Sequence, residues 1–113
     1  MDVARYEARI AAIHELGVAL DDQLHAQELG AAREEGTIEA FQHCINTFEH
    51  VLSSEAPSVL SALRHLHQQA VNRLYVCKGK VDSTKLSLKL AKEKIDEEHK
   101  QLQAILDNLP PAT

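Results

Sequence analysis

Apolar residues recur along the chain at alternating spacings of three and four, and they divide it into two long segments. In the first segment one heptad frame holds from Val3 to Leu52, with mainly Val, Ile, Leu, Phe and Tyr at its inward a and d positions. A second frame runs from Leu60 to Leu109 without a shift of phase. This spacing predicts two amphipathic helices of about 50 residues each.

The segment Ser53-Ser54-Glu55-Ala56-Pro57-Ser58 interrupts the pattern. Ser and Pro are typical of helix ends, and proline is tolerated in the first turn of the helix that follows. The two prolines at 110–111 stop the second helix. We therefore predict a single helical domain over 1–113, with helix one at about 2–53, a turn at about 54–57, helix two at about 58–109 and a frayed tail at 110–113.

The predicted fold is all-α: a long antiparallel coiled-coil helical hairpin, paired with a second hairpin into a four-helix assembly. A compact four-helix bundle is the alternative, with breaks near Gly30–Gly36 and at Gly79. Glycine costs a helix about 1 kcal/mol relative to alanine, so these positions are the weakest points of the two helices.

Charge is unevenly divided between the two segments. The chain of 113 residues has a formal net charge of −5, but residues 1–56 carry −8 and residues 57–113 carry +3, with every lysine in the second part. The two helices of a hairpin would therefore attract each other. Net acidity also argues against a nucleic-acid partner.

The flanking e positions of the two heptad frames indicate how the helices align. Opposite charges meet when the residue numbers of facing e positions add up to 113, which pairs Glu49 with Arg64, Glu35 with Lys78, Glu28 with Lys85 and Asp21 with Lys92. Exposed ion pairs contribute only about 0–1 kcal/mol each, so these would select orientation rather than add stability. The same alignment predicts that Glu34 faces Val81 and that Leu20 faces Ile95.

Apolar residues also lie outside the a and d positions, which a lone two-helix hairpin does not need. We predict that these residues form part of a partner interface: Leu16, Cys44, Val51, Val59, Leu66, Leu86 and Leu90. The partner is a protein, either a second copy or the helices of a hetero-complex. No apolar run approaches the roughly 20 residues that span a bilayer, so membrane insertion is not expected.

The sequence contains no motif for catalysis, cofactor binding or metal binding. It begins without the basic and apolar blocks of a secretory signal. Two cysteines without such a signal indicate free thiols in a reducing, intracellular compartment, most simply the cytoplasm. We predict a non-enzymatic coiled-coil subunit that acts as a scaffold by presenting a helix face to partner helices.

Seven histidines support an alternative function, a helical bundle that uses histidine for metal binding or phosphorelay. His14-Glu15-Leu16 resembles the start of the phosphoacceptor helix of sensor histidine kinases, whose dimerisation domains are also helical hairpins. That family continues with Arg-Thr-Pro, whereas Gly17-Val18-Ala19 follows here. Near the turn, His43 and His65 take outward f positions and His67 an inward one, so their nitrogens would not converge on one metal.

Overall fold

A computed structural model describes residues 2–110 and shows an all-α chain of two helices, α1 (Asp2–Glu55) and α2 (Pro57–Asp107). The predicted helical hairpin is confirmed. Both helices continue through Gly30, Gly36 and Gly79, and no glycine in the described part of the chain has a positive φ. The helix breaks that the compact four-helix bundle requires are therefore absent from residues 2–110.

The turn between the helices is the single residue Ala56, shorter than the predicted 54–57. Its backbone N–H donates to the carbonyl of Leu52 at 2.9 Å, and its carbonyl accepts from the N–H of Leu60 at 3.3 Å. Ala56 thus closes the last turn of α1 and opens the first turn of α2. Pro57 begins α2 at the position where its missing N–H leaves no unfilled helical hydrogen bond.

Helix α1 extends two residues beyond the predicted end at 53, and two serines near this end bond to the helix. The hydroxyl of Ser53 donates to the carbonyl of His50 at 3.0 Å, and that of Ser54 to the carbonyl of Val51 at 3.2 Å. Serine side chains can bond preceding carbonyls in this way without ending a helix.

Helix α2 ends at Asp107, two residues before the predicted end. The N–H of Asn108 bonds to the carbonyl of Ile105, three residues back, and the last turn tightens. Pro110 disfavours helical conformation at the residue before it, which accounts for the early end. Of the predicted tail, residues 111–113 lie outside the described part of the chain.

Contacts group the chain into two compact units, and each unit contains a segment of both helices. Among the described residues, the terminal unit comprises 2–24 and 83–110, and the turn unit comprises His25–Asp82. In the turn unit, Glu49 contacts Arg64 and Glu34 contacts Arg73, so numbers rise along one helix as they fall along the other. This order makes the helices of the turn unit antiparallel.

The terminal unit follows the same rule. Arg9 contacts Glu98, whereas Asp21, farther along α1, lines a groove with Lys85, nearer the start of α2. The two helical segments of this unit are therefore antiparallel as well.

The buried residues occupy the predicted a and d positions. In the turn unit the buried apolar residues are Ile45, Leu60, Ala70 and Val81, and in the terminal unit they are Ile10, Leu88 and Ala91. Phe48 departs from the pattern, because it holds a d position but remains 51% exposed. No large side chain in the described part of the chain is fully buried, so each unit has only one thin apolar layer.

Candidate interaction surfaces

Six of the seven predicted interface residues are exposed. The relative exposures of these six range from 43% to 57%. They are Leu16, Val51, Val59, Leu66, Leu86 and Leu90. Cys44 is half-buried, because its g position adjoins the d positions that pack between the helices.

In the terminal unit, the structure places two of these residues at one groove. Leu16 of α1 and Leu90 of α2 line it, and both expose about half of their surface. The other lining residues are mainly apolar, and two of them are small: Ile13, Leu20, Ser87, Ala91 and Lys94. We call this surface the terminal groove.

In the turn unit, three predicted interface residues share one face with a residue that the sequence assigned to the core. Val51 on α1 and Val59 and Leu66 on α2 hold g positions, which lie on the same side of an antiparallel pair. Phe48, one helical step from Val51, is exposed beside them. We call Phe48, Val51, Val59 and Leu66 the apex patch.

The surroundings of the apex patch carry few charges. The exposed c positions that border it are all uncharged: Thr47, Ser54, Ala62 and Gln69. The opposite, e-position side of the same unit differs, because Glu35, Glu49, Arg64 and Lys78 are exposed there.

Other large apolar residues are exposed that the sequence reasoning did not select. Tyr75 is the most exposed, and Val18, Leu29 and Val76 also project away from the inward positions. Their b, c and f positions could have identified them from the sequence, because each is an apolar residue on the helix face that is expected to contact solvent.

Of the four predicted ion pairs, one is in contact in the turn unit. The Nη2 of Arg64 lies 2.6 Å from Oε1 of Glu49, with both side chains about half exposed. Glu35 and Lys78, in the same unit, form no ion pair.

The remaining two predicted pairs are Asp21 with Lys92 and Glu28 with Lys85. Asp21 and Lys92 line two common grooves of the terminal unit without an ion pair between them. Glu28 and Lys85 belong to different units, so their pairing stays a prediction.

Two other interhelical ion pairs hold acidic residues at inward positions. In the terminal unit, Arg9 Nη2 lies 3.1 Å from Oε2 of Glu98, whose side chain is 4% exposed. In the turn unit, Arg73 Nε donates to Oε1 of Glu34 at 3.0 Å. In each pair the glutamate holds a d position and the arginine a g position of the facing helix.

These two contacts show how the helices align away from the turn. The residue numbers of both pairs add up to 107. Beside the turn, Glu49 and Arg64 keep the predicted sum of 113. In the turn unit both helices are continuous and rise equally per residue, so one alignment serves both contacts, and the long arginine and glutamate side chains span the difference of six residues.

In the turn unit Glu34 contacts Arg73, eight residues before Val81 along α2. In the terminal unit Leu20 lines a groove with Ala91, four residues before Ile95. The sum of 107 differs from the predicted 113 by six residues, or roughly 9 Å of helix rise.

A double-mutant cycle should distinguish the observed alignment from the predicted one. We expect Glu34→Gln and Arg73→Gln to show a coupling energy of about 1 kcal/mol, because the Glu34 side chain is only 22% exposed and its bridge is partly shielded from solvent. The cycle of Glu35→Gln and Lys78→Gln should give a coupling near zero. Urea unfolding at one protein concentration measures both, and a larger coupling for Glu35 and Lys78 would restore the predicted alignment.

The other chemical candidates are dispersed. Within residues 2–110, no three His, Cys, Asp or Glu side chains are arranged to hold a metal ion. Cys44 and Cys77 are both free thiols. Neither helix, over its described length, is long and apolar enough at any point to cross a membrane.

No family model, curated protein or solved structure matches this chain. The terminal groove and the apex patch are therefore the observations that bear on function.

Proposed function

We propose that this protein is a non-enzymatic interaction subunit whose exposed helix faces bind helices of partner proteins and hold them in an assembly. The observation that carries the proposal is the balance of apolar surface. Among the described residues, thirteen large apolar side chains have relative exposures between 39% and 81%, while no large side chain is fully buried.

This balance favours packing against further helices. Apolar surface removed from water contributes about 25 cal/mol per Å², and each unit, built from only two helical segments, leaves much of that contribution unused. Scattered exposed apolar residues are ordinary on protein surfaces. The terminal groove and the apex patch are different because their apolar side chains are adjacent, which is typical of interaction sites.

The terminal groove suits an amphipathic helix. Leu16 and Leu90 form its two apolar walls, and Ser87 and Ala91 leave room between them. A helix with apolar residues at i, i+3, i+4 and i+7 would place its apolar stripe between the walls. We propose that a partner protein supplies such a helix.

The terminal groove and the apex patch are open helix faces, which suit binding rather than catalysis. Two free thiols are compatible with a reducing compartment, and we propose that the protein works inside the cell.

Site-specific photo-crosslinking in the native cell tests the proposed function. A photoreactive residue at Leu90 should capture one defined protein, because this side chain would lie inside the contact. Leu16→Glu should reduce that capture at least tenfold by placing a charge in the opposite wall of the groove. Ala11→Glu, which adds the same charge at an exposed b position of α1, should leave the capture unchanged.

The captured protein should then bind the purified chain, and Leu16→Glu should weaken that binding by a similar factor. Equal loss of binding in the Ala11→Glu variant, or no specific capture at Leu90, would contradict a partner site at the terminal groove.

A further inference from the structure

We propose that the apex patch binds the apex patch of a second copy of this chain, forming a two-fold symmetric dimer in which the two turn units lie antiparallel. This inference rests on the proposed function, because it treats an exposed helix face as a binding surface. It adds the identity of one partner and the orientation in which that partner binds.

The absence of charge on the apex patch favours contact with a second copy. In a two-fold symmetric contact the same surface occurs on both sides, so a charged face meets its own charge near the axis. The chain has a net charge of −5, which makes most self-contacts repulsive. The apex patch and its bordering residues Thr47, Ser54, Ala62 and Gln69 carry no charge, so two copies can approach there without that repulsion.

Opposite charges lie at the two ends of the apex patch. Glu55, exposed in the last turn of α1, lies at the turn on the same helical stripe as Phe48 and Val51. Arg73 lies at the far end, one heptad beyond Leu66. Because Arg73 lies 16 residues along α2 from Pro57, which begins α2 beside the turn, the two charges are about 25 Å apart along the unit.

This arrangement selects the orientation of the dimer. When two turn units overlap antiparallel across the patch, Glu55 of each copy lies toward Arg73 of the other. If the two turn units instead lay parallel, with their turns side by side, Glu55 would lie beside Glu55 of the second copy. Complementary charges at the rim of an apolar contact determine orientation in this way.

The area of the apex patch is sufficient for a specific but weak dimer. Four half-exposed apolar side chains and the four small or polar residues around them supply roughly 500–700 Å² per copy, or about 1,000–1,400 Å² for the pair. That total reaches the lower range of specific interfaces. We therefore expect a dimer that dissociates in the micromolar range rather than an obligate one.

Sedimentation equilibrium of the full chain between about 1 and 200 μM tests this proposal against matched variants. Leu66→Glu should weaken the dimer at least tenfold, because it buries a charge in the patch. Leu29→Glu introduces the same change at a similarly exposed leucine on the outward f face of α1, and it should alter the dissociation constant less than twofold. Circular dichroism of each variant confirms that both remain helical.

Glu55→Gln tests the orientation separately. In the antiparallel dimer it should weaken association two- to fivefold, since an attraction to Arg73 is lost. Stronger association of Glu55→Gln would indicate the parallel arrangement and overturn the proposed orientation.

A wild-type chain that stays monomeric over the whole concentration range, or a dimer disrupted by Leu29→Glu but not by Leu66→Glu, would overturn the proposal. The proposed function fails by a different result, the absence of specific capture at Leu90. Leu66→Glu should leave that capture intact, so the two failures can be told apart.

Discussion

Replacement of all four glycines by alanine should raise the free energy of unfolding by about 2–4 kcal/mol. Gly17, Gly30, Gly36 and Gly79 lie inside continuous helices, and none has a positive φ. A Cβ added at any of them would meet no atom within 4 Å. Alanine therefore restricts the unfolded chain and favours the helix without a steric cost in the folded state.

Urea unfolding at one fixed protein concentration measures this gain, since dimerisation would otherwise add to the apparent stability. The four single variants should each contribute about 0.5–1 kcal/mol and add nearly independently. Ala32→Gly, at an exposed position in the middle of α1, is the matched control and should lower stability by about 1 kcal/mol.

A loss of stability in Gly30→Ala, Gly36→Ala or Gly79→Ala would contradict the continuous helices. These are the positions at which a compact four-helix bundle would need to break. The glycine variants therefore test the architecture as well as the helix propensities.

Removal of Arg9 should destabilise the protein by about 1.5–3 kcal/mol, whereas removal of its partner Glu98 should cost little or even stabilise it. Glu98 is 3% exposed at an inward position, and Arg9→Leu would leave its carboxylate with only Lys94 nearby, at 3.4 Å. The Arg9 side chain is 42% exposed, so the loss should be smaller than the roughly 3–5 kcal/mol typical of fully buried pairs.

Glu98→Leu has the opposite expectation because the existing bridge is imperfectly satisfied. Arg9 Nε and Glu98 Oε2 are buried and have no hydrogen-bond partner among the described residues. A leucine at this d position would pack in the apolar layer with Ile10 and would need neither cation.

Thermal and urea unfolding of the two single variants and the double variant measure these differences. The double variant Arg9→Leu, Glu98→Leu should be more stable than Arg9→Leu alone, because it no longer buries a carboxylate that has lost its arginine partner. If Glu98→Leu proved more destabilising than Arg9→Leu, the carboxylate would have a structural role beyond pairing with Arg9.

Much of the fold follows from the periodicity of the sequence. Ile10, Ile45, Leu60 and Leu88 recur in two heptad frames, and a helix places such residues on one side whatever packs against it. The single Pro-containing interruption between the frames leaves a hairpin as the simplest connection. The exposed leucines and valines outside the frames likewise marked most of the residues that form the terminal groove and the apex patch.

The alignment of the two helices did not follow in the same way. A shift of one heptad leaves every residue at the same a–g position, so the apolar pattern is equally satisfied by alignments about 10 Å apart. The charges at e positions favoured one alignment, which only Glu49 and Arg64 keep in contact. The arginines at g positions, Arg9 and Arg73, instead each contact a glutamate at a facing d position, in pairs whose residue numbers add up to 107.

The core status of two residues was also decided only in three dimensions. Phe48 occupies an inward position by its heptad place, yet it lies exposed near the turn and joins the apex patch. Glu98 occupies an inward position that the sequence marks as polar, yet it is buried because Arg9 and Lys94 neutralise it there.

The sequence by itself determined the all-α class, the two helices, the place of the turn and the faces that each helix presents. These properties are local, since they depend on the spacing of side chains along one helix. The tertiary structure alone decided the alignment, the partners of the inward glutamates and the grouping of exposed apolar residues into two surfaces. Those properties depend on which residues of the second helix stand opposite, and a heptad repeat allows more than one answer.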